Sequence, residues 1–404
     1  MLLVNIMSKS TYLIISGLLS FNFLRNGLFP FFTSDILFVL MLVWSIFGWI
    51  YYSRVNSPIY NKNIYWALGI LALFFLSSLT PFFRYNQNIV STFIAMRTNV
   101  LIIYLITLSK IYPSEDELFQ SFRFLGLLAV GMAVLVFIFP HWFVDMDSLK
   151  RLLARQSNGS TDLLVIWPGS TCAILYFYIL LQKMRQEQTT QQIFWCTLFM
   201  AYIFLMQNRS TLICALFFYV YTFIKTDIRY KSWIIVGSCL IVGTYLFNIL
   251  SGLIEETQSQ LSDTKYNRWQ AIYFFLMEQN NNLYTILFGN GVPCKGSAYL
   301  YYIMQAQVKR LAFISDIGLL GSFFYYGLVM MGCIYSFILR GITHVRTIPR
   351  FLRYYSWWLL LIPTIQGFGL GDFSMIRYSL IFYMIIYYEH QNGCVNNNSE
   401  LQYS

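Results

Sequence analysis

Apolar residues in this chain gather into long continuous runs separated by short polar turns. A helix needs about 17–25 mostly apolar residues to cross the hydrocarbon core, whereas a membrane barrel shows short alternating strands. Run length predicts about twelve spans. They lie near Tyr12–Leu28, Asp35–Tyr52, Ile64–Thr80, Ile89–Leu108, Phe122–Phe139, Asp162–Leu181, Ile193–Met206, Ser210–Ile224, Trp233–Leu250, Leu311–Leu339, Tyr355–Leu370 and Ser374–Tyr388. No small-residue cleavage site follows the first run, which reads as a retained helix. The pattern breaks once, where Ser251 to Arg310 is polar and unspanned. The expected fold is an all-α polytopic membrane protein. Residues 1–250 form about nine spans, 251–310 one long periplasmic loop, 311–390 about three spans, and 391–404 a short, polar, disordered tail.

Loops this long are uncommon unless functional or disordered. Inside it, Tyr266–Met277 sets Trp269, Ile272, Tyr273 and Leu276 at helical spacing. That predicts an amphipathic helix lying on the bilayer or the bundle. Phe288-Gly289-Asn290-Gly291-Val292-Pro293 then gives a strong turn signal.

Composition agrees with the pattern. The 404 residues are 57% hydrophobic and 11% charged, where a soluble domain is about 25% charged. The net charge of +10 does not call for nucleic acid, since no nucleic-acid motif is present. It follows the connections instead. With a cytoplasmic N-terminus, the inward loops carry Lys9, Arg54, Lys62, Lys110, Lys183, Arg185, Lys225, Arg229, Lys231, Arg340, Arg346, Arg350 and Arg353. The short outward loops carry only Arg25, Arg84 and Arg209. This is the positive-inside asymmetry, and it sets Pro140–Thr161 and Ser251–Arg310 outward with both termini in the cytoplasm. Five of the seven cysteines fall in apolar segments and read as packing residues. Cys294 alone lies in the long loop, which excludes a disulfide framework there. No zinc motif, phosphate-binding loop or nucleophile elbow occurs, and His141 is the single outward histidine.

Arginines carry the candidate chemistry. Arg97 lies inside the fourth span, Arg209 opens the eighth, Arg268 opens the loop helix, and Arg377 sits in the last span. With the orientation above, all four fall in or just above the outer half of the membrane. A guanidinium there costs several kcal/mol unless paired or hydrated, and its planar fork suits phosphate oxygens. The functional reading is a site for a diphosphate headgroup. The plainer one has Arg209 and Arg377 reach to the surface or pair with Asp35, Asp316 or Asp372. Asp316 opens the tenth span as a salt-bridge partner, a proton acceptor or a charge offsetting the helix dipole. Tyr266 and Trp269 stack on sugar faces or anchor the loop at the interface.

Three elements carry a resemblance to the superfamily of O-antigen polymerases and O-antigen ligases. Gln207-Asn208-Arg209-Ser210 is similar to the family's polar turn with an Arg before a membrane helix. Asn267-Arg268-Trp269, followed by Phe288-Gly289-Asn290-Gly291, resembles the Arg-Trp helix and Gly-x-Gly turn of its large loop. Asp316-Ile317-Gly318-Leu319-Leu320-Gly321 with Gly327 resembles its acidic entry to the helix after the loop. The resemblance implies a metal-independent, cofactor-free glycosyltransferase of the bacterial inner membrane using undecaprenyl-diphosphate-linked oligosaccharide. Arg209 and Arg268 would bind the diphosphate, and a separate chain-length regulator is an expected partner. The ligases carry a His before the Gly-x-x-Gly segment, where this chain reads Tyr301–Arg310 without one. That departure favours a polymerase and leaves the base unassigned among Asp316, Glu278 and Asp263, with Asp316 first. A ligase, a flippase and a non-catalytic scaffold remain the alternatives. No internal repeat marks a transporter.

Overall fold

The computed structural model of the chain describes residues 7–53, 55–143, 167–206, 208–225, 267–310, 312, 314–366 and 374–401. The regular elements among them are all helical. In chain order the α-helices are α1 (Lys9–Ser20), α2 (Ser34–Tyr51), α3 (Tyr60–Tyr85), α4 (Ile89–Ala95), α5 (Tyr104–Ile111), α6 (Glu115–Ile138), α7 (Ser170–Glu187) and α8 (Thr190–Leu205). They continue as α9 (Arg209–Ile224), α10 (Asn267–Ile272), α11 (Leu283–Phe288), α12 (Ala298–Arg310), α13 (Leu319–Thr343), α14 (Arg350–Gln366) and α15 (Ser374–Leu401). Four of these, α2, α3, α6 and α13, are long and apolar enough to cross a membrane, or five spans when α4 is joined to the bent Arg97–Ile111 stretch. Helices α8 and α9 are shorter and apolar. The set is compatible with a multi-pass membrane protein. The expected span Trp233–Leu250 lies outside the described residues.

Sequence dictates the local structure at several helix starts. Ser114 and Glu117 cap α6 reciprocally, with Ser114 N–H donating to Glu117 Oε2 at 2.8 Å and Glu117 N–H to Ser114 Oγ at 3.3 Å. Thr33 caps α2 and Asn208 caps α9, each accepting a first-turn N–H. Helix α2 leaves Val39, Val43, Ile46 and Ile50 exposed, an apolar surface suited to lipid contact. Consecutive helices pack as neighbours: α1 on α2, α6 on α7, and, across short turns, α7 on α8 and α13 on α14. Helix α7 is buried from Cys172 to Leu181 and forms the middle of the bundle. Its core neighbours include Tyr104 and Tyr355. Buried serines return their hydroxyls to their own helix, as Ser16 does to Tyr12 O at 2.9 Å and Ser356 to Leu352 O at 2.8 Å. Satisfying polar groups locally is what an apolar surrounding demands.

Several boundaries differ from those the apolar runs predict. The first helix ends at Ser20 rather than Leu28. The fourth run is broken: α4 stops at Ala95, residues Arg97–Ile103 form a 3₁₀ helix, and the two parts meet at 67°. The polar cluster Arg97-Thr98-Asn99 explains the break. The Arg97 guanidinium donates to Ile94 O at 2.7 Å, and buried Asn99 donates to Tyr326 Oη at 3.3 Å. Both hold the chain away from a continuous ladder. The helix of the tenth run begins at Leu319. A 3₁₀ turn at Ile314–Ile317 and Gly318 intervene before α13. The tail from Glu389 is helical to Leu401 rather than disordered. Within the expected loop, residues 283–310 hold two helices, α11 and α12, that the hydrophobic pattern does not reveal.

Candidate functional site at the loop end

The loop folds back into the bundle through a break in α13. At Gly327 the backbone leaves helical geometry (φ 74°, ψ 174°), which frees carbonyls that a continuous helix would use. The turn Phe288–Gly291 supplies the missing donors. Asn290 N–H donates to Phe324 O at 2.8 Å and Gly291 N–H to Tyr325 O at 2.9 Å. Ser77 Oγ of α3 also donates to Tyr325 O at 2.8 Å. Two glycines make the approach possible. A Cβ on Gly327 would fall on the Leu287 carbonyl oxygen, and one on Gly289 (φ 83°) on the Tyr325 carbonyl oxygen.

Helix α3 clamps the same turn from its other side. Thr80 Oγ1 donates to Gly289 O at 2.7 Å and Tyr284 Oη to Leu76 O at 2.7 Å. Arg84, in the last turn of α3, donates to Gln279 O and to Asn290 Oδ1, the latter at 3.2 Å. Gln279, Asn280 and Asn290 are buried there. Sequence reading counted Arg84 only as a loop charge. The available signal was a cation at the end of an apolar run, where helix carbonyls are free. Beside this clamp lies an open cleft of ≈ 580 Å³, walled by Thr80, Phe83, Arg84, Asn281, Asn282 and Tyr284 among others.

The loop helix is present. Helix α10 runs from Asn267 to Ile272 and continues as a π-helical turn, Tyr273–Glu278. Ala271, Phe274 and Phe275 are buried, while Trp269 (61%), Tyr273 (61%) and Met277 (67%) stand exposed. Of the expected stripe, Ile272 and Leu276 pack in part against this buried set, and Trp269 and Tyr273 are left uncovered. Tyr299 of α12 is fully buried and stacks on Tyr85 with centroids 4.0 Å apart. Burial holds its phenol well above the ordinary value, so it stays a neutral O–H donor to Gly291 O at 3.3 Å.

The expected arginines fall into separate neighbourhoods. Arg97 forms an ion pair with Asp35 at the start of α2, which answers its charge within the protein. Arg209 opens α9, as the polar turn predicts, and Thr211 two residues on accepts a hydrogen bond from Trp358 Nε1 at 3.2 Å. The Arg377 guanidinium lies 5.8 Å from the centroid of the same Trp358 ring and 5.5 Å from that of Tyr378. Trp358 therefore joins the start of α9 to Arg377. Helix α10, which carries Arg268, packs against the 3₁₀ turn that carries Asp316. The side chains of Arg209, Arg268 and Asp316 lie outside what the structure describes, as does Tyr266 entirely.

A second cavity of ≈ 470 Å³ lies at the opposite end, between Glu115, Gln182, Arg346 and Asn392. Its polar walls serve helix ends: Gln182 Oε1 accepts from Phe351 N–H at 3.0 Å, and Asn392 Nδ2 donates to Thr347 O at 2.8 Å. No group of histidine, cysteine and carboxylate side chains suited to a metal occurs among the described residues. Comparison with protein-family models, with curated proteins and with solved structures finds no match for this chain.

Proposed function

We propose that this protein is a multi-pass membrane glycosyltransferase that joins undecaprenyl-diphosphate-linked oligosaccharide repeats into a surface polysaccharide. In this reading it has about twelve spans, and the loop end faces outward from the inner membrane. The observation that carries the reading is the packing of the Arg268 helix against the Asp316 turn, within a loop fixed onto the bundle. It sets a cation-bearing and an acid-bearing segment side by side. The resemblance of the three sequence elements points the same way.

The chemistry asks little beyond this. An acceptor hydroxyl oxygen bonds to the anomeric carbon, the bond from that carbon to the phosphate oxygen breaks, and undecaprenyl diphosphate leaves. The hydroxyl proton passes to a base, for which Asp316 is the proposed group. The diphosphate is a good leaving group, so the main task is to hold its developing charge, the role given to Arg209 and Arg268. The acceptor must also be held in line with the anomeric carbon.

The test is glycan analysis of cells lacking the protein, complemented with wild type, Arg209→Ala or Arg268→Ala. The expected result is single surface-linked repeats in the deletion, long chains restored by wild type, and no extension by either variant at equal expression. Lys at either position should restore little, because a point charge cannot reproduce the bidentate fork. Unattached long polymer in the deletion would make the protein a ligase. Repeats trapped on the cytoplasmic leaflet would make it a flippase.

A further inference from the structure

The cleft beside the α3 clamp has walls whose chemistry differs from that of a diphosphate site. Arg84 is the only charged residue among those lining it, and its guanidinium already serves Gln279 O and Asn290 Oδ1. A diphosphate calls for several cations or a fork turned toward it. The other walls are amides, hydroxyls, rings and the aliphatic side chain of Leu79. Asn281 is exposed, and Asn282 Oδ1 accepts from Tyr284 N–H at 3.1 Å, which fixes its amide in the wall. Phe83 stands 74% exposed at the rim. An amide both donates and accepts, as does a sugar hydroxyl, and a ring face covers the apolar side of a pyranose. The walls are also preformed. Thr80, Tyr284 and Arg84 each tie α3 to the loop across the cleft floor, so little ordering is left for a ligand to impose. The volume of ≈ 580 Å³ lies within the range of small-ligand sites.

We propose that this cleft is a sugar-binding subsite that seats the non-reducing end of a lipid-linked repeat, the end that supplies the acceptor hydroxyl. The assignment rests on the glycosyltransferase reading above and separates the acceptor from the diphosphate arginines. Asn281 and Phe83 are the residues that touch the sugar. Neither takes part in the clamp that holds the loop.

The full chain is reconstituted in lipid nanodiscs as wild type, Asn281→Ala and Phe83→Ala. The soluble probe is the oligosaccharide released by mild acid from lipid-linked repeats of cells lacking the protein, tritium-labelled at its reducing end. Equal thermal unfolding of the three proteins establishes that both exposed substitutions leave the fold intact. The expected result is saturable binding by wild type and binding weakened about fivefold or more in each variant, the loss of one neutral contact. The concentration of intact lipid-linked repeat that half-saturates polymerisation should rise by a similar factor. Folded variants with unchanged binding and half-saturation overturn the proposal, as does a wild type that binds no oligosaccharide. Binding that the variants lose, in a protein that makes no polymer, keeps the subsite and removes the polymerase. Polymerisation indifferent to both substitutions does the reverse.

Discussion

Arg97 and Asp35 answer one another's charge, and that pairing decides what substitution at either position does. Asp35 is largely open to solvent and Arg97 about one-third so. Exposed ion pairs contribute about 0.2–1 kcal/mol, so Arg97→Gln should lower stability by less than about 1 kcal/mol. The stronger expectation concerns exchange. The double variant Arg97→Asp, Asp35→Arg should recover the polymer that Arg97→Asp alone loses, read as chain length on a gel. A folded exchange variant without product would return Arg97 to the diphosphate site. Arg377 is a different case. Flanked by Trp358 and Tyr378, it sits where aromatic faces offset a cation, so its place at the end of the bundle is set by packing as well as charge.

The helix break and the loop it admits act as one element. Helix α13 opens at Gly327 because the loop turn supplies donors to Phe324 O and Tyr325 O, and the turn stays in place because those carbonyls are open. Gly327→Ala meets two obstacles, a left-handed backbone and the Leu287 carbonyl. We expect it to release the turn, with a loss of about 3 kcal/mol or more of local stability. Hydrogen exchange should then accelerate at Asn290 and Gly291 while the α6 and α7 amides keep their protection. Unchanged protection at Asn290 would show that the turn does not depend on the break. Much of this was legible in the sequence as separate signals. The turn Phe288–Pro293, the polar turn before α9 and the pair of short apolar helices α8 and α9 all read from the sequence as local chemistry. Their joining did not. Hydrophobic run length does not register that a polar triplet at Arg97–Asn99 breaks a span, or that Gly327 opens for a segment about forty residues earlier. Helices α11 and α12 were missed because their apolar positions face the protein on one side only. The π turn Tyr273–Glu278 was not legible because it departs from the period that pattern reading assumes. Arg84 carried one signal, a cation ending an apolar run, but its partners Gln279 and Asn290 lie about two hundred residues away and nothing local pairs them with it.

At the scale of the whole molecule the two ends differ in how they use charge. Opposite the loop, Glu389 of α15 accepts from Arg340 at 2.6 Å and lies 3.0 Å from His344 Nδ1 and 3.9 Å from Lys62 Nζ. One carboxylate thus draws together α3, α13 and α15. Lys9 likewise donates to Tyr112 O at 3.0 Å, closing α1 onto the end of α5. Basic residues at this end therefore hold helix termini together, and they are the residues whose number sets the expected orientation. At the loop end, Arg84 and Arg377 meet carbonyls and rings. The proposed reaction requires the loop end to face outward, since the acceptor cleft and the Arg268–Asp316 neighbourhood both lie there. Lys295 and Arg346 are exposed at the two ends and report on this directly. With Cys294 and Cys394 both replaced by Ser, a membrane-impermeant maleimide should label Lys295→Cys on intact spheroplasts and should label Arg346→Cys only after permeabilisation. The inverse pattern would turn the arginines and the cleft toward the cytoplasm. Polymerisation at the outer leaflet would then have no site in this protein, and the loop end would have to act on glycan before it crosses the membrane.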